Sequence, residues 1–257
     1  MPAFTVQRVQ NPTGRKTSFL HGVIRSDSIR SSEEEINASA DLFYDLMQDN
    51  QGAISLSGGD KSLMKLQALA MLRAGILAGE YYTATNKDGK LIGYTLWMPP
   101  GREIFSTEEE RQLGFNEFMA RLPDQGKEYF RTTFLAHFPG FVNSILGPTV
   151  GFTQDIALIV NEHGLSVYPQ GKLDSWWLHM AMVDRNYQKM GITRALINLV
   201  REKASVSGDT LACSTTNDNN VPVYLALGFT HRGRKIMPSP WGDWPVHLFS
   251  LDTSLTS

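Results

Sequence analysis

The sequence predicts an α/β fold, because stretches patterned like strands alternate with stretches that have the period of helices. Residues 80–100 form two runs rich in β-forming side chains about a "DG" turn at Asp88 and Gly89, a strong hairpin signal. From residue 176 onward, a buried strand, an amphipathic helix and a second strand follow one another. The 257 residues are enough for one large domain, or for one domain with an insertion.

The composition excludes several classes of protein. The chain is 42% hydrophobic and 19% charged with a net charge of −2, which is typical of a globular protein and unlike a disordered chain or a nucleic-acid binder. Cys213 is the single cysteine, so no internal disulfide can form, and no Cys/His spacing predicts a metal site. The most apolar stretch, 62–79, is interrupted by Lys65 and Arg73. We therefore expect a cytoplasmic protein with no membrane span and no nucleic-acid partner.

The first third of the chain predicts one strand and two helices. Residues 4–9 alternate apolar and polar side chains, as a half-buried strand does. A helix is expected to begin at Ser31 or Ser32, each three residues before a glutamate in a capping-box arrangement. Its apolar face is formed by Ile36, Ala40, Phe43 and Met47. A second, more apolar helix is predicted over 61–77.

Residues 101–175 are predicted to form an insertion or lid before a core at 176–251. Two stretches, 106–122 and 125–138, have helical patterns, and 155–169 is typical of a strand and a turn. The core is predicted to contain strands at 176–183, 209–216, 229–236 and 244–251, and helices at 192–204 and 220–227.

Gly191 stands where the helical pattern of 192–204 begins. The first turn of a helix has unpaired N–H groups and the positive end of the helix dipole, so it can bind a phosphate that a glycine lets approach closely. Gln188 and Lys189 can add a polar and a cationic contact. The alternative is a tight strand-to-helix turn that needs glycine for its own geometry, and this short stretch leaves both interpretations open.

Two common phosphate-binding motifs do not occur in the sequence. There is no G-x-G-x-x-G fingerprint, and in "GGDKS" at 58–62 Asp60 separates the glycines from the lysine, which breaks the Walker pattern. The sequence therefore does not predict a P-loop nucleotide site.

Three segments in order, "WWLHMAMVD", "YQKMGIT" and "STTNDNNVPVYLALGF", resemble the acetyl-CoA core of the GNAT N-acetyltransferases. The resemblance covers 176–251 and implies a mixed central sheet flanked by helices, with acetyl-CoA as co-substrate and no metal. Within the family, the "WMPP" run and "NVPVYLALGF" are similar to puromycin N-acetyltransferases, which favours a small-molecule acceptor.

The resemblance also assigns coenzyme-binding residues by position. The family's pyrophosphate loop, Q/R-x-x-G-x-G/A, corresponds to Gln188, Lys189, Met190, Gly191, Ile192 and Thr193. Thr193 replaces the usual glycine or alanine, which implies weaker or shifted binding. The preceding strand is expected to pair with the pantetheine arm through the backbone of Ala181, Met182 and Val183.

A later segment resembles the family's Asn-x-x-x-Tyr-x-x-x-Gly-Phe element. The matching residues are Asn220, Tyr224, Gly228 and Phe229, and Asn217 is a second candidate contact to the coenzyme. The segment also has a structural interpretation, because Asn220 is a good N-cap, Pro222 suits a first turn and Gly228 can take the left-handed position after a helix.

Transfer to an amine requires its neutral form, which is about one molecule in a thousand for an alkylamine at pH 7. His179 is the candidate base, because "LHMAMV" resembles a strand of the arylalkylamine N-acetyltransferases, with Glu80 or a water chain as rivals. Tyr224 occupies the family's general-acid position and is expected to stabilise the leaving thiolate by a hydrogen bond. His179 and Tyr224 could instead be core side chains. Cys213 is also interpreted as a core side chain, and its functional alternative is a covalent acyl-cysteine.

The leading hypothesis is an N-acetyltransferase that moves an acetyl group from acetyl-CoA to a small-molecule amine by direct attack in a ternary complex. The insertion, with Trp97, Trp176 and Trp177, is expected either to shape a site for an aromatic or apolar amine or simply to fill the core. The alternatives are a degenerate acyl-CoA-binding protein, favoured by Thr193, and a protein or peptide N-acetyltransferase. The chain is expected to be a monomer or homodimer.

Overall fold

A seven-stranded sheet is the centre of the computed structural model, which describes residues 4–9, 33–146 and 170–253. The strands are β1 Phe4–Val9, β2 Glu80–Asn86, β3 Leu91–Met98, β4 Ser175–Val183, β5 Thr210–Thr215, β6 Thr230–Met237 and β7 Trp244–Asp252. They lie in the order β1-β2-β3-β4-β5-β7-β6. Strands β4 and β5 run parallel, and the other neighbouring pairs of these described strands are antiparallel. The predicted mixed α/β architecture is confirmed.

The N-terminal strand and the first two predicted helices are present. Strand β1 pairs with β2 along its whole length. Helix α1, Glu33–Met47, buries Ile36, Ala40 and Phe43, and the proposed cap at 31–32 lies outside the described residues. The sequence pattern misses helix α2, Gln51–Leu56, because a glycine and a serine interrupt it; Asn50 caps it by accepting from the N–H of Ala53. Helix α3, Met64–Ala78, follows a 3₁₀ turn at Lys61–Leu63.

The hairpin of β2 and β3 turns where the sequence predicts. Gly89 has φ 79°, a left-handed conformation that glycine adopts readily. The side-chain oxygen of Asn86 accepts from the N–H groups of Asp88 and Lys90, at 3.0 and 2.9 Å, and so closes the loop.

The described part of 101–175 is mainly helical, as predicted. Its helices are α4 Glu108–Glu110, α5 Asn116–Arg121, α6 Asp124–Tyr129, α7 Leu135–Leu146 and α8 Gln170–Leu173. Wide π-helical turns at Arg111–Phe115 and Phe130–Phe134 join α4 to α5 and α6 to α7. The predicted strand and turn at 155–169 lie outside the described residues. The N–H of Gly101 donates to the carbonyl of Leu173 at 2.7 Å, which brings both ends of the stretch together.

The C-terminal core contains helices α9, Ile192–Ser207, and α10, Val221–Ala226. Pro222 lies in the first turn of α10 and Gly228 has φ 94°, both as predicted. Asn220 occupies the predicted N-cap position of α10, but its side chain makes no capping bond, because its amide donates to Thr215 Oγ1 at 2.9 Å. A 3₁₀ turn at 218–220 precedes α10, and Asn217 caps that turn by accepting from the N–H of Asn219.

Helices cover both faces of the sheet. On one face α9 and α10 pack against Ile92, Trp97, Trp176, Leu178, Cys213 and Phe249. On the other face α1 and α3 pack against Tyr81, Tyr94, Leu96 and Met180, and α7 packs against Trp177, Ala212 and Leu248. We call these the α9 face and the α7 face. None of the helices in the described ranges combines the length and apolar character that crossing a bilayer requires.

Candidate active site

The candidate site begins where β4 and β5 part. The two strands pair from Ser175 and Thr210 up to Leu178 and Cys213, and β4 then continues to Val183 without a described partner on its β5 side. On its other side β4 pairs Leu178 with Trp97 and Met180 with Leu96, so His179 is an extra residue that bulges from the strand. The backbone edge at 179–183, which includes Ala181, Met182 and Val183, therefore faces a gap in the sheet.

The predicted phosphate loop follows this edge directly. After a 3₁₀ turn at Arg185–Tyr187, the backbone takes left-handed conformations at Lys189, φ 63°, and at Gly191, φ 83°. Gly191 is the N-cap of α9 and no side chain caps the helix, so the first-turn N–H groups have no capping side-chain acceptor. A Cβ at Gly191 would meet no atom within 4 Å, so the space beside it is open. The left-handed turn therefore favours glycine at 191, and the same position leaves open space for a ligand.

The other residues of the 188–193 loop differ in which groups they can present to a ligand. Ile192 is 1% exposed and packs in the core, so only its backbone is available. Gln188 donates its side-chain amide to the carbonyl of Val183 at 3.1 Å, which ties the loop to the end of β4. Lys189 and Met190 are exposed, and Thr193 is half-buried in the first turn of α9.

Tyr224 reaches the point where the strands part, from the α9 face. Its ring stacks on Phe249 and meets Phe229 edge-on, with centroid distances of 5.0 and 5.7 Å. Its hydroxyl lies beside the thiol of Cys213, the last β5 residue paired with β4. Burial, and then the neighbouring Cys213, raise the pKa of Tyr224 well above its usual value. The phenol therefore stays protonated and can donate a hydrogen bond.

The thiol of Cys213 is part of the core. It is fully buried, and burial raises its pKa. Because the thiolate is the nucleophilic form of cysteine, this environment disfavours a covalent acyl-cysteine.

His179 lies on the α7 face in a buried cluster with Glu103, Lys172 and Trp177. Its Nε2 is buried without a hydrogen-bond partner, and Oε1 of Glu103 lies 3.7 Å away. Nζ of Lys172 donates to both carboxylate oxygens of Glu103, at 2.6 and 2.5 Å, and lies 4.9 Å from the centre of the Trp177 ring. Burial, and then the charge of Lys172, lower the pKa of His179 well below its usual value. The imidazole is therefore neutral at pH 7, the form in which a histidine can act as a base.

Two sequence-derived candidates lie elsewhere. Glu80 is buried on the α9 face and pairs with Arg8 and Lys203 while accepting from the hydroxyl of Tyr82, so it is a poor candidate for a base. Trp97 and Trp176 fill the core beneath α9, which leaves Trp177 as the member of the predicted group that contacts the His179 cluster.

The segment before α10 is held by a polar network. Oδ1 of Asp218 lies 2.8 Å from Nε2 of His247, and Nδ1 of that ring lies 3.0 Å from Nε2 of His231. The bond to His247 is the main cause that lowers the pKa of Asp218. Asn217 stands at the start of this braced turn, while Asn220 is held against β5.

Glu103 and Lys172 are candidate site residues that sequence reasoning missed. They are 69 positions apart and belong to no motif, so their pairing has no local signal. Within the described ranges, no group of three or more His, Cys, Asp or Glu side chains is arranged to hold a metal ion.

Comparison with known proteins identifies the family. A model described as "Acetyltransferase (GNAT) family" matches residues 44–229, which is most of the chain. The chain belongs to the GNAT acetyltransferase family. This GNAT chain is thus an acyltransferase of a family that uses acetyl-CoA, and the matched range includes the open edge of β4, the 188–193 loop and Tyr224.

Solved structures show the same fold at low sequence identity. A putative arylalkylamine N-acetyltransferase 7 from the yellow fever mosquito Aedes aegypti has a TM-score of 0.51 and 11% identity, over 87% of this GNAT chain and 86% of that chain. A histone acetyltransferase HPA2 and related acetyltransferase from Corynebacterium glutamicum has a TM-score of 0.50 and 12% identity, over 88% and 96%. A comparison with curated protein sequences finds no match.

Proposed function

We propose that this chain transfers the acetyl group of acetyl-CoA to the amine of a small molecule, by direct attack while both substrates are bound. The observation that carries the proposal is the meeting of three features: the open edge of β4, the hydroxyl of Tyr224 and Nε2 of His179, which has no hydrogen-bond partner. Tyr224 approaches this edge from the α9 face and His179 from the α7 face. A hydrogen-bond donor, Tyr224, and a proton acceptor, His179, can therefore reach the edge of β4 from opposite faces of the sheet.

The residues at the edge and the loop fit acetyl-CoA. Pantetheine amides can pair with the β4 edge at Ala181, Met182 and Val183 on the side that lacks a described strand, where the Gln188 amide already bonds the carbonyl of Val183. The pyrophosphate can accept from the first N–H groups of α9 beside Gly191. In this proposal Lys189 adds positive charge, and Asn217 offers its amide NH₂ to the coenzyme arm. When bound, acetyl-CoA supplies an activated acyl group and a thiolate leaving group.

Each catalytic residue has one task in this proposal. About one alkylamine molecule in a thousand is neutral at pH 7, which corresponds to a cost of about 4 kcal/mol. In this proposal the neutral imidazole of His179 takes the proton that the amine gives up. Tyr224 donates a hydrogen bond to the departing sulfur; its high pKa favours this bond over full proton transfer. A backbone N–H of the β4 edge polarises the thioester carbonyl.

Thiol release tests the function directly. The purified chain, acetyl-CoA and a panel of amines are combined with a thiol-reactive dye, and mass spectrometry identifies the acetylated product. We expect thiol release that depends on a small amine. Binding of acetyl-CoA with no turnover on any amine or peptide would establish a binding protein instead, and turnover on peptides alone would establish a protein N-acetyltransferase.

Gly191→Val is expected to weaken acetyl-CoA binding at least about tenfold, or about 1.4 kcal/mol, because its side chain projects into the open space beside the N-terminus of α9. Calorimetry of the folded variant measures the affinity. Gly89→Val is the matched control, since Gly89 has φ 79° and the same open surroundings but lies in the β2–β3 turn. Both variants should lose stability through backbone strain, and only Gly191→Val should lose affinity. If Gly191→Val bound acetyl-CoA as tightly as the wild type does, the phosphate site would lie elsewhere.

The acceptor is expected to be an aromatic or apolar amine. The α7 face beside His179 is lined by Trp177, with Phe138 and Phe141 of α7 packed on the same cluster. Such rings offer large rigid contact area to an apolar substrate. In a competition assay, arylalkylamines should therefore outcompete polyamines. Preference for small polar polyamines would contradict this acceptor class while leaving the acetyltransferase activity standing.

A further inference from the structure

A buried ammonium site lies beside His179, and the chain's own lysine fills it. The side chains of Glu103, Lys172 and His179 are 10%, 9% and 12% exposed. The Lys172 ammonium has a carboxylate on one side and the face of Trp177 on the other. A carboxylate together with an aromatic face is the chemistry that recognises alkylammonium ions.

The position of this cluster distinguishes it from an ordinary ion pair. Taking a carboxylate and an ammonium out of water is expensive, and packed apolar side chains in their place are often no less stable. The buried Nε2 of His179 has no hydrogen-bond partner, and at 3.7 Å Oε1 of Glu103 is too far to supply one. A ligand that hydrogen-bonds Nε2 would satisfy this buried polar atom. His179 is also the bulged residue at which β4 leaves β5.

We propose that Glu103 and Trp177 bind the ammonium group of the acceptor, and that Lys172 occupies this site as an internal competitor until the acceptor displaces it. This inference rests on the proposed function and names the substrate class as a primary alkylammonium ion. The exchange preserves charge, because one ammonium replaces another beside Glu103. The incoming nitrogen then lies beside the imidazole that takes its proton.

The same chain contains a similar lysine–glutamate pair, with a more exposed lysine, away from the gap. On the α9 face, Lys203 pairs with Glu80 and lies 4.8 Å from the centre of the Trp176 ring. This trio repeats carboxylate, lysine and indole, but it sits toward the C-terminal end of α9, whereas the phosphate loop adjoins the N-terminal end. Glu80→Gln and Lys203→Ala therefore control for the loss of a lysine–glutamate pair on a tryptophan.

The experiment uses n-butylamine, which reproduces the Lys172 side chain from Cβ to Nζ. Steady-state kinetics with acetyl-CoA are measured for the full chain and its variants. Glu103→Gln should raise the KM for n-butylamine at least about tenfold and leave the KM for acetyl-CoA within about twofold, because one charged contact is removed from one substrate. Lys172→Ala should lower the KM for n-butylamine at least about tenfold, since the competitor is gone. Glu80→Gln and Lys203→Ala should keep the KM values of the wild type for both substrates. Unchanged amine KM values in Glu103→Gln and Lys172→Ala would overturn the proposal.

A binding measurement separates this inference from the proposed function. Thermal unfolding of Lys172→Ala should show saturable stabilisation by n-butylamine, and the double variant Glu103→Gln/Lys172→Ala, which leaves no buried charge unpaired, should show none. If Lys172→Ala folds only with n-butylamine present, the site is supported. Binding to Lys172→Ala without acetylation, in a chain that acetylates other amines, would overturn the acceptor role. Binding with no turnover on any amine would refute the proposed enzyme function instead.

Discussion

Tyr224→Phe is expected to lower kcat by about ten- to a thousandfold while acetyl-CoA affinity stays nearly unchanged, because the hydroxyl is needed mainly in the transition state. The ring would keep its stacking on Phe249 and Phe229. The hydroxyl now contacts Cys213, at the residue where β4 and β5 stop pairing. A departing thiolate in the gap would lie next to the same hydroxyl. Steady-state kinetics and calorimetry on one preparation separate the two effects.

Tyr82→Phe is the control for this prediction. Tyr82 belongs to the same hydrophobic cluster and donates its hydroxyl to Glu80 at 2.5 Å, away from the gap. Its replacement should leave kcat within about twofold, because it removes a buried tyrosine hydroxyl without touching the reacting atoms. Equal kcat values for Tyr224→Phe and the wild type would leave Tyr224 as a core residue.

Cys213→Ala should retain turnover if the thiol forms no acyl intermediate.

His179→Ala is expected to lower the rate by about a hundredfold or more at neutral pH and to remove the acidic limb of the kcat profile. The base must be neutral to act. Burial and Lys172 lower the pKa of His179, so the imidazole is neutral above that lowered pKa and activity falls as the pH drops through it. The sequence predicts a limb near the usual pKa of histidine; the structure moves it to lower pH. The variant's rate should also depend more steeply on amine basicity.

His231→Ala tests whether the limb belongs to His179. Burial, and then the charge of His247, also lower the pKa of His231, but this side chain lies on β6 among exposed residues. Its removal should leave the acidic limb in place. An unchanged limb in His179→Ala would instead make His179 a core residue and assign the proton to a water chain.

The candidate site was predictable where single segments carry the information. The positive φ of Gly191 and the uncapped start of α9 follow from a glycine at the head of an amphipathic pattern. Asn220 holds the predicted N-cap position without a capping bond, because its amide bonds Thr215 of a neighbouring strand, and Asn217 caps the 3₁₀ turn before it. The sequence gives no way to distinguish Trp97 and Trp176 from Trp177. The strand pleat and the bulge place Trp97 and Trp176 on the α9 face and Trp177 on the α7 face.

By itself, the sequence determined the seven described strands, most of the described helices, the β2–β3 turn and the glycine loop, because hydrophobic period and backbone preference act over a few neighbouring residues. Only the tertiary structure decided that Glu103 meets Lys172 across 69 positions, that Glu80 pairs with Lys203 on the opposite face, and that Tyr224 reaches Cys213. The insertion of β7 between β5 and β6, and the parting of β4 from β5, likewise depend on pairing between distant segments. Such contacts are selected by the packing of the whole sheet, and no local pattern specifies them.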